Sequence, residues 1–302
     1  MPHISDLIPD IERMLGGIAK GGSVELPEEQ VASFGAQIGA ALVKMLKKRR
    51  SVKRTEKKLY MSELGKPCIR QLWYDYNQPE KGEPLQPHTL VKFLIGDITE
   101  AVMLLLAKVA GHTVEDEQAR LEIEGPDGWK ITGRKDAKID GALVDVKSAS
   151  KYSFEKFKEG LSDENDAFGY RTQLDSYAYA EDFTGDAGFF VMNKETGKMF
   201  FAHHDISTAD MKDHIALIAS HMEEDEPPPR HYDDFPEGKS GNRKLGVNCS
   251  YCPHKAVCWP GLRAFAYARG PVFLTEVKKL PDVPEIFLDT KDSKFDIEEM
   301  LA

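Results

Sequence analysis

The sequence predicts an α/β protein, and three patterns carry that reading. Helical stretches alternate with short β-prone runs through the middle of the chain. The dipeptide Asp140-Gly141 separates two such runs, a strong signal for a two-residue type I′ hairpin. Three of the four cysteines fall within ten residues as C-x2-C-x5-C (Cys249, Cys252, Cys258), with Cys68 far upstream.

Taken in order, residues 1–43 read as two short helices. Leu7, Ile11, Met14 and Leu15 keep helical spacing until paired glycines interrupt it, and Pro27-Glu28-Glu29 suits a second helix start. A basic block follows, with nine Lys or Arg and one acid from Lys44 to Lys58. Residues 88–110 give the clearest helix, stopped by Gly111. Strands are expected at Arg120 to Glu124, Trp129 to Lys138 and Ala142 to Ser148. A helix over Tyr170 to Ala180 precedes strands at Ala187 to Met192 and Lys198 to His203. A last amphipathic helix, Ala209 to Glu224, ends before Pro227-Pro228-Pro229. The expected domains are a helical segment over 1–58, a core with the cysteine region over 59–268, and an acidic tail over 269–302.

The chain has 302 residues, 41 % hydrophobic and 30 % charged, which excludes a disordered or collagen-like protein. No run approaches the roughly 20 apolar residues of a membrane span. The N-terminus lacks a signal-peptide layout, so a cytoplasmic location is expected, the host's cytoplasm if the chain is phage-encoded. Forty basic against fifty acidic residues leave a formal charge of −10, which by itself argues against a polyanionic partner. The basic block reverses that sign locally. Lys47, Lys48, Arg49, Arg50, Lys53 and Arg54 are its candidate phosphate contacts.

The chemistry concentrates in residues 133–147. A type I′ turn at Asp140-Gly141 sets Ile139 opposite Ala142, and so Asp136 opposite Asp145, with Lys147 on the same face as Asp145. Opposed carboxylates destabilise a hairpin unless a cation lies between them. Asp145 stands among Leu143, Val144 and Val146, as in a buried strand. Glu100 interrupts an apolar helix one turn after Gly96, and Gln173 and Tyr177 share one helix face. The four cysteines match a closed metal site or an iron–sulfur cluster. His254 is a spare candidate ligand in that loop. His203-His204-Asp205 reads as surface.

In sequence order, Gly96-x-x-x-Glu100, Gly133-x-x-Asp136, Asp145-x-Lys147 and Gln173-x-x-x-Tyr177 resemble the motifs of the PD-(D/E)XK nucleases, and the RecB-like exonuclease branch most closely. Cys68 and the C-x2-C-x5-C loop extend the resemblance to the iron–sulfur members of that branch, which include CRISPR-associated exonucleases and phage relatives. It spans Ser62 to Trp259. Two positions depart from the pattern: many relatives carry His where this chain has Glu100, and Lys135 replaces the Pro, a position that bears no chemistry in the family.

The resemblance implies a restriction-endonuclease-like core, a central mixed β-sheet flanked by helices, with an N-terminal helical extension and a four-cysteine cluster region. It implies that Glu100, Asp136, Asp145 and the Val146 carbonyl hold Mg²⁺ or Mn²⁺. Lys147 would orient or help deprotonate the attacking water, and Gln173 and Tyr177 would orient Lys147 or contact DNA. Cys68, Cys249, Cys252 and Cys258 would hold a [4Fe–4S] cluster, with zinc as the alternative metal. The implied activity is a DNA exonuclease acting on ends or single strands in recombination or DNA processing. No P-loop occurs, so a motor would come from a partner such as a helicase. The competing reading is a cluster-stabilised DNA-binding scaffold with a vestigial nuclease site.

Overall fold

A computed structural model of the chain describes residues 2–47 and 53–286. The Lys48, Arg49 and Arg50 part of the basic block and residues 287–302 of the acidic tail lie outside the described residues. The architecture is mixed α/β, as the sequence predicts. It divides into two units, and the second is discontinuous. Residues 2–47, 54–67 and 85–225 form the first; residues 53, 68–84 and 226–286 form the second.

In chain order the elements begin with helices α1 (Leu7–Ala19) and α2 (Glu28–Leu46), then β1 (Lys58–Tyr60) and α3 (Met61–Leu64). Helix α4 (Ile69–Asn77) belongs to the second unit. Back in the first unit, Pro87 opens α5 (Pro87–Val109), and Gly111, at φ +96°, takes the left-handed conformation that ends it. Strands β2 (Val114–Glu115), β3 (Arg120–Glu124), β4 (Lys130–Arg134), β5 (Ala137–Ile139) and β6 (Ala142–Ala149) follow. Then come α6 (Lys151–Glu159), α7 (Tyr170–Ala180), β7 (Ala187–Asn193), β8 (Met199–His203) and α8 (Met211–Met222).

Five strands form the main sheet in the order β2-β5-β6-β7-β8. Its centre, β6, is antiparallel to β5 and parallel to β7, a crossover that α6 and α7 complete. The β5–β6 turn is the expected type I′: Asp140 and Gly141 have φ +50° and +82°, and Ile139 pairs with Ala142. One face of the sheet is apolar. Val144 and Val146 of β6 pack there with Ile4, Leu7 and Ile11 at the N-terminus and Met103, Leu104 and Ala107 of α5. Strict alternation along the strand sends Asp145 and Lys147 to the other face.

Two expectations fail here. Helix α1 is not part of a separate segment over 1–58, because its apolar stripe completes the core of the sheet. Nor does one strand run from Trp129 to Lys138. The chain changes sheet within it, β4 pairing with β1 and β3 and β5 joining the main sheet. At the break the backbone bonds sideways, Lys135 N to Ala119 O at 3.1 Å and Gln118 N to Asp136 O at 3.0 Å. The Lys135 side chain is fully buried, and a buried ammonium requires carboxylates. It has Asp116 at 2.8 Å and Glu181 at 2.5 Å. Lys135 is therefore an ion-pair centre that fixes this change of sheet, not a position of no consequence.

The second unit holds β9 (Phe235–Pro236), β10 (Arg243–Lys244), α9 (Val247–Tyr251), α10 (Lys255–Cys258), β11 (Arg263–Tyr267), β12 (Gly270–Glu276) and β13 (Glu285–Ile286). Its sheet runs β13-β11-β12-β10-β9. The boundary expected at 268/269 cuts through the β11–β12 hairpin, so residues 270–276 supply the middle strand of a sheet rather than the start of a tail. Polar contacts join the two sequence segments of this unit. Glu83 N bonds Pro253 O at 2.8 Å, His254 Nε2 pairs with Asp75 at 2.8 Å, and Lys255 pairs with Glu83.

Candidate functional site

The first cluster sits where β6 passes the β4–β5 break. Asp145 is 1 % exposed, and neither of its carboxylate oxygens accepts a well-formed hydrogen bond, although the Lys147 ammonium is in ion-pair contact with Oδ2. Asp136 stands just before β5 and accepts from Val146 N at 2.7 Å. Glu100, midway along α5, accepts from the Gln118 amide. Gly133 makes this path possible, since a Cβ there would lie 2.3 Å from Met61 Sδ.

Electrostatics tie these groups together. Burial, then the charges of Asp145 and Asp97, push the Glu100 carboxyl up to about 7. Burial, then Asp145 and Glu100, raise Asp136 well above the carboxylate range. Burial also raises Asp145, against the pull of Lys147. Burial opposes charge on Lys147, but Asp145 and Asp136 outweigh it and hold the ammonium above the usual lysine range. Three acids around one lysine leave an excess of negative charge in a poorly solvated place. A divalent cation fits that imbalance and the buried Asp145 carboxylate, whose Oδ1 has no partner. As the side chains stand, no three His, Cys, Asp or Glu residues among those described are gathered closely enough to hold a metal ion.

Helix α7 closes the other side. Gln173 Nε2 donates to the Tyr177 hydroxyl at 2.5 Å, and burial and the charge of Asp145 raise the Tyr177 phenol further above its ordinary value. The Lys147 ammonium lies 4.8 Å from the centre of the Tyr170 ring. Thus Glu100, Asp136, Asp145, Lys147 and Tyr177 act on one another, with Gln173 bonded to Tyr177. Tyr170, Gln118 and Arg134 also act on the cluster and were missed in the sequence. Tyr170 had a signal: it precedes Gln173 by three and Tyr177 by seven, on the same helical face.

Among the described residues of the basic block, three cations are engaged in ion pairs. Lys44 pairs with Asp97 at 2.9 Å, Arg54 with Glu63 at 2.6 Å and Lys57 with Glu223 at 2.6 Å. Lys47 and Lys53 face solvent. His203 is exposed, but His204 is not a surface residue. Its side chain is 7 % exposed and pairs with Asp175 at 2.7 Å.

The second cluster lies within the second unit. Cys68 caps α4, Cys249 lies in α9, and Cys252 and Cys258 flank and end α10. All four are unpaired and half-buried. Burial, then the charges of Cys68 and Cys258, push Cys249 up to about 11. Burial pushes Cys252 up to about 12, with Cys68 and Cys249 adding to it. Arg70 Nε donates to Cys258 Sγ at 3.3 Å, and the Arg230 guanidinium bonds Cys258 O and lies 4.1 Å over Trp259. Four thiols within electrostatic reach of one another, flanked by guanidinium groups, fit a group that must hold four thiolates. His254 is already engaged by Asp75 and stacks on Tyr74 at 5.3 Å, so it is not drawn into the thiol set.

No family model matches the chain, and no curated protein matches it. Among solved structures, the crystal structure of SSO0001 aligns with a TM-score of 0.44 at 16 % identity, over 75 % of this chain and 95 % of that one. No helix among the described residues is long and apolar enough to cross a membrane.

Proposed function

We propose that the chain is a Mg²⁺- or Mn²⁺-dependent DNA exonuclease of the PD-(D/E)XK type, acting on DNA ends or single strands. One observation carries this reading: the charge of Asp145 raises the proton affinity of both Glu100 and Asp136, and Asp145 is itself buried with only the Lys147 ammonium set against its Oδ2. Glu100, Asp136, Asp145 and the Val146 carbonyl would hold the cation, which when bound lowers the pKa of water and neutralises phosphate charge. Lys147 is held as an ammonium by Asp145 and Asp136. Its part is therefore to bind a phosphate oxygen and stabilise developing negative charge, rather than to take a proton from water. Gln173 fixes the Tyr177 hydroxyl, which stays a phenol and so remains a donor toward the carboxylates or the DNA backbone. In the second unit, Cys68, Cys249, Cys252 and Cys258 would hold a [4Fe–4S] cluster with a structural role.

End-labelled DNA is expected to be degraded with Mg²⁺ or Mn²⁺ and to persist with chelator. Asp145→Asn and Lys147→Ala are each expected to lower the rate by at least about 10²-fold, the scale of losing one preorganised charge-stabilising group. Circular dichroism checks that the variants remain folded. Wild type as inert as Lys147→Ala, across metals and DNA forms, would transfer the case to a cluster-stabilised DNA-binding scaffold.

A further inference from the structure

Phe168 is 65 % exposed, yet it stands in a segment that is firmly held. Between α6 and α7, both carboxylate oxygens of Asp166 accept backbone N–H groups of the first turn of α7, Tyr170 at 3.0 Å and Arg171 at 2.9 Å. Asn165 bonds Ser162 N and Gly160 O, and Lys156 Nζ bonds Asn165 O at 3.0 Å. Gly169, at φ +70°, lies so close to Gly65 that a Cβ would fall 2.0 Å from the Gly65 carbonyl oxygen. Phe168 is thus presented to solvent by a pinned backbone, not by fraying.

Its ring is the outer member of a stack that leads to the carboxylate cluster. Phe168 stacks on Tyr170 with centroids 5.4 Å apart and planes at 25°, and Tyr170 stacks on Phe157 at 5.9 Å. Phe157 is buried against Phe189 of β7 at 5.4 Å, which anchors the stack in the core. The Lys147 ammonium lies over Tyr170, so Phe168 is one ring removed from the group assigned to phosphate. Tyr152, 74 % exposed on α6, carries Lys156 over its ring at 4.9 Å, adding a second open aromatic face and a cation. Of the nearby acids, Asp163 is paired with Arg171 and Asp166 caps α7, leaving Glu164 exposed to solvent.

An exposed ring face, rigidly held and one ring from a phosphate-binding ammonium, matches one chemistry: a flat apolar group joined to a phosphate. We propose that Phe168 is a stacking platform for an unpaired base of a single-stranded DNA end, seating the base while Lys147 faces the adjoining phosphate. The assignment of Lys147 to phosphate rests on the nuclease reading; the stacking contact is tested apart from it. A base within a duplex is already stacked on its neighbours, so the platform selects single strands or frayed ends.

Binding of the full-length protein to a thymidine oligonucleotide and to an abasic strand of equal length, in chelator, tests this. Phe168→Ala is expected to weaken thymidine binding roughly 5- to 150-fold, the range of losing one base–aromatic stack. Phe168→Trp is expected to retain it, and the abasic strand to be indifferent to both changes. The thymidine effect is also expected to persist as salt rises, because stacking releases no counterions. Equal weakening on both strands, no change on either, or no single-strand binding at all would overturn the platform. Since no cleavage is measured, inert DNA in the nuclease assay would count against the nuclease reading while leaving this contrast to stand or fall separately.

Discussion

Glu100 shows how one side chain reports on its whole neighbourhood. Its carboxyl, ordinarily near 4.5, is pushed up to about 7 by burial and by Asp145 and Asp97. The metal-free fold therefore binds this proton more tightly than the unfolded chain does. The resulting stabilisation is complete below about 4.5 and is lost as the pH rises through about 7. Thermal unfolding in chelator is expected to show melting temperature falling across that window. Glu100→Gln is expected to flatten the profile, and Mg²⁺ or Mn²⁺ to raise the melting point most at its alkaline end. A rising profile in chelator would contradict the assignment. At this scale the sequence was informative about Asp136, Asp145 and Lys147, because strand alternation and a two-residue turn leave no freedom in where they point. It was silent on Gln118 and Arg134, which reach Glu100 only through the tertiary path of the chain.

Elements hold the site through their ends. The β5–β6 hairpin is closed by Asp140, whose side chain bonds His112 Nδ1 at 2.6 Å and Thr113 N at 3.0 Å, tying the turn to the segment after α5. Helix α7 begins at Gly169, where left-handed backbone and the close approach to Gly65 both exclude a side chain. Gly169→Ala is expected to cost about 2–5 kcal/mol, combining the left-handed penalty of an L-residue with forced backbone separation. Urea unfolding checks it, and a loss below about 0.5 kcal/mol would show that the two backbones part freely. Periodicity located α5, α7 and the β6–β7 pair to within a residue or two, since each carries a long apolar pattern. It mistook β4 and β5 for one strand because the interruption is made by Lys135, whose need for Asp116 and Glu181 has no local signature.

At the scale of the whole molecule, the segments of the two units alternate along the sequence. Residues 68–84 and 226–286 form a single unit although the greater part of the first unit lies between them in sequence. A group held by Cys68 together with Cys249, Cys252 and Cys258 would close that long loop, and the entropy of closure makes such a link worth most where the loop is longest. Freshly purified protein is expected to be brown, with the broad visible absorbance of a thiolate-ligated iron–sulfur cluster. Cys68→Ser is expected to bleach it and to expose the second unit to limited proteolysis before the first. Colourless protein containing stoichiometric zinc would replace the cluster by a zinc site.

By itself the sequence determined the α/β class, the hairpin register that sets Ile139 against Ala142, and the cysteine spacing. Each follows from local rules: residue period, turn chemistry and ligand count along a short stretch. Only the tertiary structure decided that the N-terminal helix completes the core, that the chain changes sheet at Lys135, and that residues 270–276 form a central strand. The same holds for the net negative charge. A sum of −10 says nothing of position. Folding takes Arg54 and Lys57 out of the basic block into ion pairs, and gathers three acids around one lysine at a single point. Coulomb energies depend on distance and desolvation, and neither exists until the chain is folded.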